Sequence, residues 1–369
     1  MNIRIVCYED VHEWILGKFA LKLCEEIGLA GHSIEIAKTA TNTAEINHHI
    51  IYSGYNNVQS STETLMVTHI DTIAKKNKLQ KSLESAALGI CMSKHHMMEL
   101  VELGISNTRL SYINPAHDNV GSPRPIIIGI ATRMYPDGRK REQFVEKLID
   151  TIDSKIFSFK IMGNGWDSIV KKMKSKNFQV HYFPEFEQVQ YHDMLKGLDY
   201  YLYTGTDEGQ IGVIDALSVG IKTIVPPVGY HLDLVNGVTH PFMSFDELKA
   251  VFHEISNERT KLIASVSDWT WRNYALKHLE IWDYLIARGK KTKYLLPARK
   301  YQDGVFSVSE FQTELQLTKQ GSHAIVLRLW LNYLLHKMNY FKNIIKSGEV
   351  ISTFRKINLR RIRNFFFKY

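Results

Sequence analysis

The chain has 369 residues, 44% of them hydrophobic, enough to bury two ordinary cores, so two domains with an appendage are expected. Its three cysteines, Cys7, Cys24 and Cys91, are far apart and form no Cys-x-x-Cys pair, which argues against a disulfide framework or a structural zinc site and for a reducing compartment. The formal net charge of +8 is concentrated at one end: residues 321–369 carry ten Lys and Arg against the single acid Glu349, which leaves the remainder at −1 and removes most of the case for a nucleic-acid-binding protein.

The opening MNIRIVCYED enters a strand pattern without the basic-then-apolar layout of a signal peptide, and no uncharged apolar run reaches bilayer length. A cytoplasmic protein is expected. IRIVCY (3–8) reads as a buried strand followed by a helix through Leu23, then SIEIA, HHIIYS, TLMVTH and LGICM as further strands, with SYIN (111–114) closing the half. The prolines, glycine and polar residues of 115–125 form the best linker. A second round follows, with strands at PIIIGIAT, FSFKIMG, FQVHYF, LDYYLYTG and KTIVPP, and then a helix over 268–287 bearing Trp269, Trp271, Tyr274, Trp282 and Tyr284. Strands alternating with helices imply parallel sheets covered on both faces, with ligands at the carboxyl ends of the strands. The expected divisions are 1–120, 121–267, a helix at 268–288, a connector at 289–320 and a tail at 321–369.

The loops after the second set of strands carry the chemistry. Arg133, Arg139, Lys140 and Arg141 follow PIIIGIAT and lead into a helix, where cations and the helix dipole together stabilise negative charge on a departing phosphate. In KIMGNGWD, Gly163 and Gly165 let backbone approach a ligand closely. TGTDEGQIG brings Asp207 and Glu208 beside Gly209 and Gly212, whose N–H groups suit an anion, and Asp215 follows inside an apolar helix where an unpaired carboxylate is costly. Neither His48-His49 nor His95-His96 has a carboxylate or cysteine at ligand spacing, so a surface or helix-face placement is expected and no metal site.

The segment DEGQIGVIDALSVGIKTIVPPVGYHLD (207–233) resembles the donor-site signature of retaining glycosyltransferases with two facing Rossmann-like domains, the GT-B fold, and in particular the glycosyltransferase group 1 (GT4) family. That family carries two glutamates separated by seven residues. Here Asp207 keeps the spacing to Asp215, while the Glu-Gly pair is Glu208-Gly209, so either acid could take the first role, and Asp215 stands where the second glutamate would meet the ribose. The resemblance implies that Arg133, with Arg139 or Lys140, stabilises the leaving diphosphate and that Gly163, Gly165, Glu185, Gly209, Gln210 and Gly212 surround the nucleotide. It further implies that His69, in TLMVTHID, contacts the transferred sugar and that Gly17 belongs to a loop between donor and acceptor. It also implies an enzyme without a bound cofactor or metal, moving a sugar from a nucleotide diphosphate donor to a glycan or lipid-linked acceptor in cell-surface polysaccharide synthesis. The rivals are a catalytically degenerate membrane assembly factor and another activity of the same fold, such as a sugar epimerase; no pyridoxal-lysine signature supports a phosphorylase.

In the tail, Arg328, Asn332, His336, Asn339, Asn343 and Lys346 recur every three or four positions opposite Val326, Leu329, Trp330, Tyr333, Leu334, Phe341 and Ile345, and FRKINLRRIRNFFFKY follows. Such a segment suits the headgroup region of an anionic membrane, at about 1 kcal/mol per cation near the surface. Deleting 321–369 should therefore release the protein from anionic liposomes in a flotation assay while donor hydrolysis persists; equal binding with and without the tail would remove its membrane role.

Overall fold

The computed structural model describes residues 1–56, 62–135 and 137–288. The chain forms two compact units, one of Met1–Asp118 together with the chain returning from Asp268, the other of Asn119–Ser267. The 289–320 connector and the basic tail lie outside the described residues.

In the first unit, β1 (Asn2–Val6), α1 (Ile15–Leu29), β2 (Ser33–Ala37), β3 (Ile46–His49), β4 (Glu63–Val67), α2 (Ile73–Ser85), β5 (Leu88–Cys91), α3 (Lys94–Glu102) and β6 (Leu110–Tyr112) build a parallel sheet of order β2-β1-β3-β4-β5-β6. Side chains of successive strand residues point to opposite faces, so both faces are apolar. Met66 joins Ile3, Ile5, Phe19 and Leu23 on one side, while Leu65 and Val67 meet Leu79, Leu83 and Leu100 on the other. Ser and Thr caps start two of the helices: Thr72 Oγ1 accepts from Lys75 N–H at 3.3 Å and Ser93 Oγ from His96 N–H at 3.0 Å. The helix expected to end at Leu23 continues to Leu29 because Ile27 is also buried. HHIIYS is strand only as far as His49, and Tyr52–Gly54 turns into a 3-10 helix.

The surface reading of His48 and His49 is wrong. Both are fully buried in β3, His48 Nδ1 bonded to Thr64 Oγ1 at 2.9 Å, and His49 to Glu63 and to the Tyr8 hydroxyl, the latter at 2.6 Å. Glu63 lies fourteen residues from His49, so only parallel strand pairing brings it there. On α3, Glu99 stands 3.4 Å from both His95 and His96, a carboxylate three and four places on that the spacing argument overlooked. Among the described residues no group of three His, Cys, Asp or Glu could hold a metal ion, and none of their helices is long and apolar enough to cross a membrane.

α9 (Trp271–Arg288) completes the first core. Trp271, Tyr274 and Trp282 are buried against α1 and the sheet, Phe19 lies 5.2 Å from Trp271 and 5.6 Å from Tyr274, and Trp282 Nε1 donates to Thr64 Oγ1 at 3.1 Å. Trp269, expected as an anchor, is 40% exposed. The outgoing and returning chains are fastened side by side: His117 N–H donates to the Trp269 carbonyl at 2.8 Å, and Asp118 accepts from Trp271 Nε1 at 2.9 Å while pairing with Lys18.

The second unit runs β7 (Ile126–Ala131), α4 (Gln143–Leu148), β8 (Phe157–Met162), α5 (Asp167–Ser175), β9 (Gln179–Phe183), α6 (Gln188–Lys196), β10 (Tyr200–Leu202), α7 (Ile211–Ser218), β11 (Lys222–Val225), β12 (His240–Pro241) and α8 (Phe245–Ala264). Its parallel order is β12-β11-β10-β7-β8-β9. Ile126, Ile128 and Ile130 pack with Phe157, Phe159 and Trp166 on one face; Tyr201, Tyr203, Val213 and Ala216 fill the other. Both sheets are thus of the Rossmann-like α/β type.

His48 and His278 share the buried interface of α9 with β3, ring centroids 5.0 Å apart. Burial pushes the His278 imidazole down to about 4, partly offset by its Nδ1–H bond to the Tyr274 carbonyl, and burial followed by the charges of His278 and His49 holds His48 well below its ordinary value. Folding keeps both neutral, whereas the unfolded chain takes up protons near pH 6.5, so unfolding binds protons on the acid side. Stability should hold above pH 7 and decline from about pH 6.5 towards pH 4, before most carboxylates titrate. Urea unfolding at stepped pH, read by tryptophan fluorescence, checks this; a flat profile between pH 7 and 5 would contradict it.

Candidate active site

Strand addition reverses between β7 and β10, and the loops that leave the carboxyl ends there line a cleft of about 840 Å³ within the second unit. The loop after β7 contributes Thr132, Arg133, Tyr135 and Lys140; the one after β8, Gly163 and Asn164; the one after β9, Pro184, Glu185 and Phe186. Glu208, Gly209, Gln210, Gly212 and Asp215 form the wall after β10, and Tyr230 comes from the loop after β11.

Glycines allow these loops to press together. Gly163 has φ +130°, and a Cβ there would fall 2.3 Å from the Thr132 carbonyl oxygen; one on Gly229, at φ +51°, would fall 2.1 Å from that of Glu208. Trp166 Nε1 donates to the Thr132 carbonyl at 2.6 Å and Tyr230 N–H to the Glu208 carbonyl at 3.0 Å. Gly165, expected beside the ligand, lies outside the lining, and Met134 is what its missing Cβ makes room for. Gly212 sits within α7 and is buried over the Tyr201 hydroxyl.

The cations converge on an aromatic ring. Arg133 Nε donates to the Tyr135 hydroxyl at 2.7 Å, and the Arg133 and Arg139 guanidinium carbons stand 4.7 and 4.1 Å from the Tyr135 centroid. The bond from Arg133 holds the Tyr135 phenol below its usual value. Arg139 is exposed, beside Asp137, and does not line the cleft; Lys140 does. Lys140 Nζ is 2.5 Å from Asp207 Oδ2 and donates to the Tyr203 hydroxyl at 2.6 Å. Arg141 departs from the cationic loop altogether: at φ +50° its Nε reaches the Thr204 carbonyl at 2.5 Å and its Nη1 the Met243 carbonyl at 2.6 Å.

Of the acids, Glu208 lines the cleft and Asp207 does not. Burial raises the Asp207 carboxyl, but hydrogen bonds from Lys140 and Tyr203 carry it below the usual carboxylate range. Asp215 receives the Tyr191 hydroxyl at 2.8 Å, the partner that an acid in an apolar helix requires, and burial together with that bond pushes the Tyr191 phenol up. α7 begins without a side-chain cap at Gln210, whose own N–H is taken by His231 Nε2 at 3.1 Å. The Val213 N–H is taken by the Gln210 carbonyl at 3.0 Å, which leaves those of Ile211 and Gly212 in the first turn of α7 to face an anion or solvent.

Two expected residues belong to the first unit. His69 is exposed just past the carboxyl end of β4. Gly17 is not in a loop: it lies in the first turn of α1, buried, and a Cβ would meet the Val11 carbonyl oxygen at 2.3 Å, so its smallness serves packing of the β1–α1 connection. Sequence reasoning missed Tyr135, Tyr191, Tyr203 and His231. The alternation of Tyr201 and Tyr203 in YYLYTG was the available signal, since it sends both to one face of the sheet.

No protein-family model and no curated protein sequence matches the chain. Among solved structures, it is similar to Anabaena HepE in complex with UDP-glucose (11% identity, 87% of this chain and 100% of that one, TM-score 0.30) and to the lipopolysaccharide outer core galactosyltransferase WaaB (13%, 77% and 99%, TM-score 0.31). The match to S. aureus TarM with fondaparinux, α-GlcNAc-glycerol and UDP, at 12% identity and TM-score 0.28, covers 64% of this chain and spans only 55% of TarM.

Arg141→Met keeps a stem against Phe144 and Phe242 but loses both carbonyl bonds, and should cost about 2 kcal/mol of stability in a denaturant titration. An unchanged midpoint would return Arg141 to the set of ligand-facing cations.

Proposed function

We propose that the protein is a GT-B glycosyltransferase of the group 1 (GT4) type that binds a nucleotide diphosphate sugar in the second-unit cleft and passes the sugar, with retention, to a glycan or lipid-linked acceptor. One observation carries the reading: cations, uncapped helix N–H groups and two carboxylates converge at the point where strand order reverses. Arg133 and Lys140, with Arg139 at the rim, face the diphosphate and take up the charge that grows on it as the glycosidic bond breaks. In this reading the cations do what a metal ion does in other transferases, and no cofactor is required. Glu208 accepts from sugar hydroxyls. Asp215, with one oxygen held by Tyr191, offers the other to the ribose, and Glu185 stands with Pro184 and Phe186 where a base can lie. Work on a cell-surface polysaccharide, at the inner face of a membrane held by 321–369, fits the basic tail.

A thermal-shift and hydrolysis panel of UDP-, GDP-, dTDP- and ADP-sugars tests the donor assignment; no shift and no turnover with any of them would overturn it. Arg133→Ala should lower turnover with the preferred donor by roughly a hundredfold. Wild-type turnover in Arg133→Ala and in the Arg139/Lys140 double alanine variant would end the phosphate assignment.

A further inference from the structure

Asp207 and Glu208 are adjacent in sequence, yet only Glu208 lines the cleft. Asp207, 15% exposed, directs Oδ2 at the Lys140 ammonium, 2.5 Å away, and accepts the Tyr203 hydroxyl on Oδ1. That same hydroxyl accepts from Lys140 Nζ at 2.6 Å, and the Tyr203 ring centroid lies 4.9 Å from the nitrogen. Ammonium, carboxylate and phenol therefore close a three-membered network, with every partner mostly or wholly withdrawn from water. Gly205 permits it, since a Cβ there would fall 2.3 Å from the Tyr203 oxygen. Charges so withdrawn interact more strongly than exposed ones and are screened less by salt.

We infer that Asp207 is the counter-ion of Lys140 and not a sugar contact, and that Tyr203 is the positioning residue that fixes the ammonium at the cleft wall. The inference rests on the nucleotide-sugar reading above. An anionic diphosphate and the Asp207 carboxylate compete for one ammonium, so Asp207 weakens ground-state binding of the diphosphate while setting where the cation stands as charge develops. That division favours the transition state over the bound donor. Burial raises the Asp207 carboxyl, yet the hydrogen bonds from Lys140 and Tyr203 depress it overall, in keeping with that pairing.

The test is calorimetric titration of the full chain with free UDP, GDP, dTDP and ADP and with the corresponding nucleotide sugars, alongside steady-state turnover. Asp207→Asn removes the competing charge at constant shape. It should bind the free diphosphate roughly five- to tenfold more tightly at low salt, a gain that shrinks as salt rises, and should lose at least tenfold in kcat. The ratio of nucleotide-sugar to nucleotide affinity should stay constant. If free diphosphate binds Asp207→Asn as it binds wild type while the nucleotide sugar binds less well, Asp207 is a sugar contact and the inference fails. In a Lys140→Met background the Asp207→Asn gain should vanish; a persisting gain overturns action through Lys140. Tyr203→Phe keeps the ring and both ions, so it carries the test by itself if Asp207→Asn does not fold. It should lower kcat several-fold with donor KM within twofold, and a wild-type kcat overturns the positioning role. Wild-type protein that binds none of the nucleotides would instead overturn the donor site itself, and this inference with it.

Discussion

A parallel sheet delivers every loop that follows a strand to one edge, and in the second unit that edge has a seam. Strands are added outward from β7 through β8 to β9, then from β10 through β11 to β12 on the other side, so the connections leaving β7 and β10 depart to opposite faces. A crevice opens where they part. Arg133 and Lys140 reach it from the first of these loops and Glu208 from the second, although they are separated by some seventy positions in the chain. The cleft's chemistry thus depends on topology before it depends on any side chain.

Loop packing then sets how well that chemistry is held. Left-handed or Cβ-free positions at Gly163, Gly209 and Gly229 let backbone pass against backbone or against the Tyr230 ring, and the Trp166 and Tyr230 hydrogen bonds lock those crossings. A glycine read from sequence as room for a ligand can equally be room for a neighbouring loop. Gly163 is both, lining the cleft and crossing Thr132, whereas Gly165 and Gly17 are explained by their protein neighbours alone.

The alternation of strands and helices was legible because fully buried parallel strands leave apolar β-branched runs, and the ligand loops were legible because they follow those runs. What escaped was pairing across distance. His49 with Glu63, Tyr191 with Asp215 and Tyr203 with Lys140 each join residues from different elements, and no local pattern marks such partners. Histidines in a polar-looking Asn-His-His run read as surface, yet β3 sits between β1 and β4 and buries all three. The cationic run 139–141 looked uniform by charge; the left-handed backbone at Arg141 turns that residue towards carbonyls instead.

The second unit is, in chain order, an insertion into the first. The first core needs Trp271, Tyr274 and Trp282, and these leave the ribosome only after all of Asn119–Ser267 has been made. Until then Ile3, Phe19 and Leu23 lack the helix that covers them, while the second unit already has its whole sequence. Synthesis order therefore favours the inserted unit folding before the unit that begins the chain. When α9 arrives, the bonds of His117 and Asp118 to Trp269 and Trp271 close the base of the insertion, so a nascent chain halted before α9 would expose an apolar sheet face to chaperones.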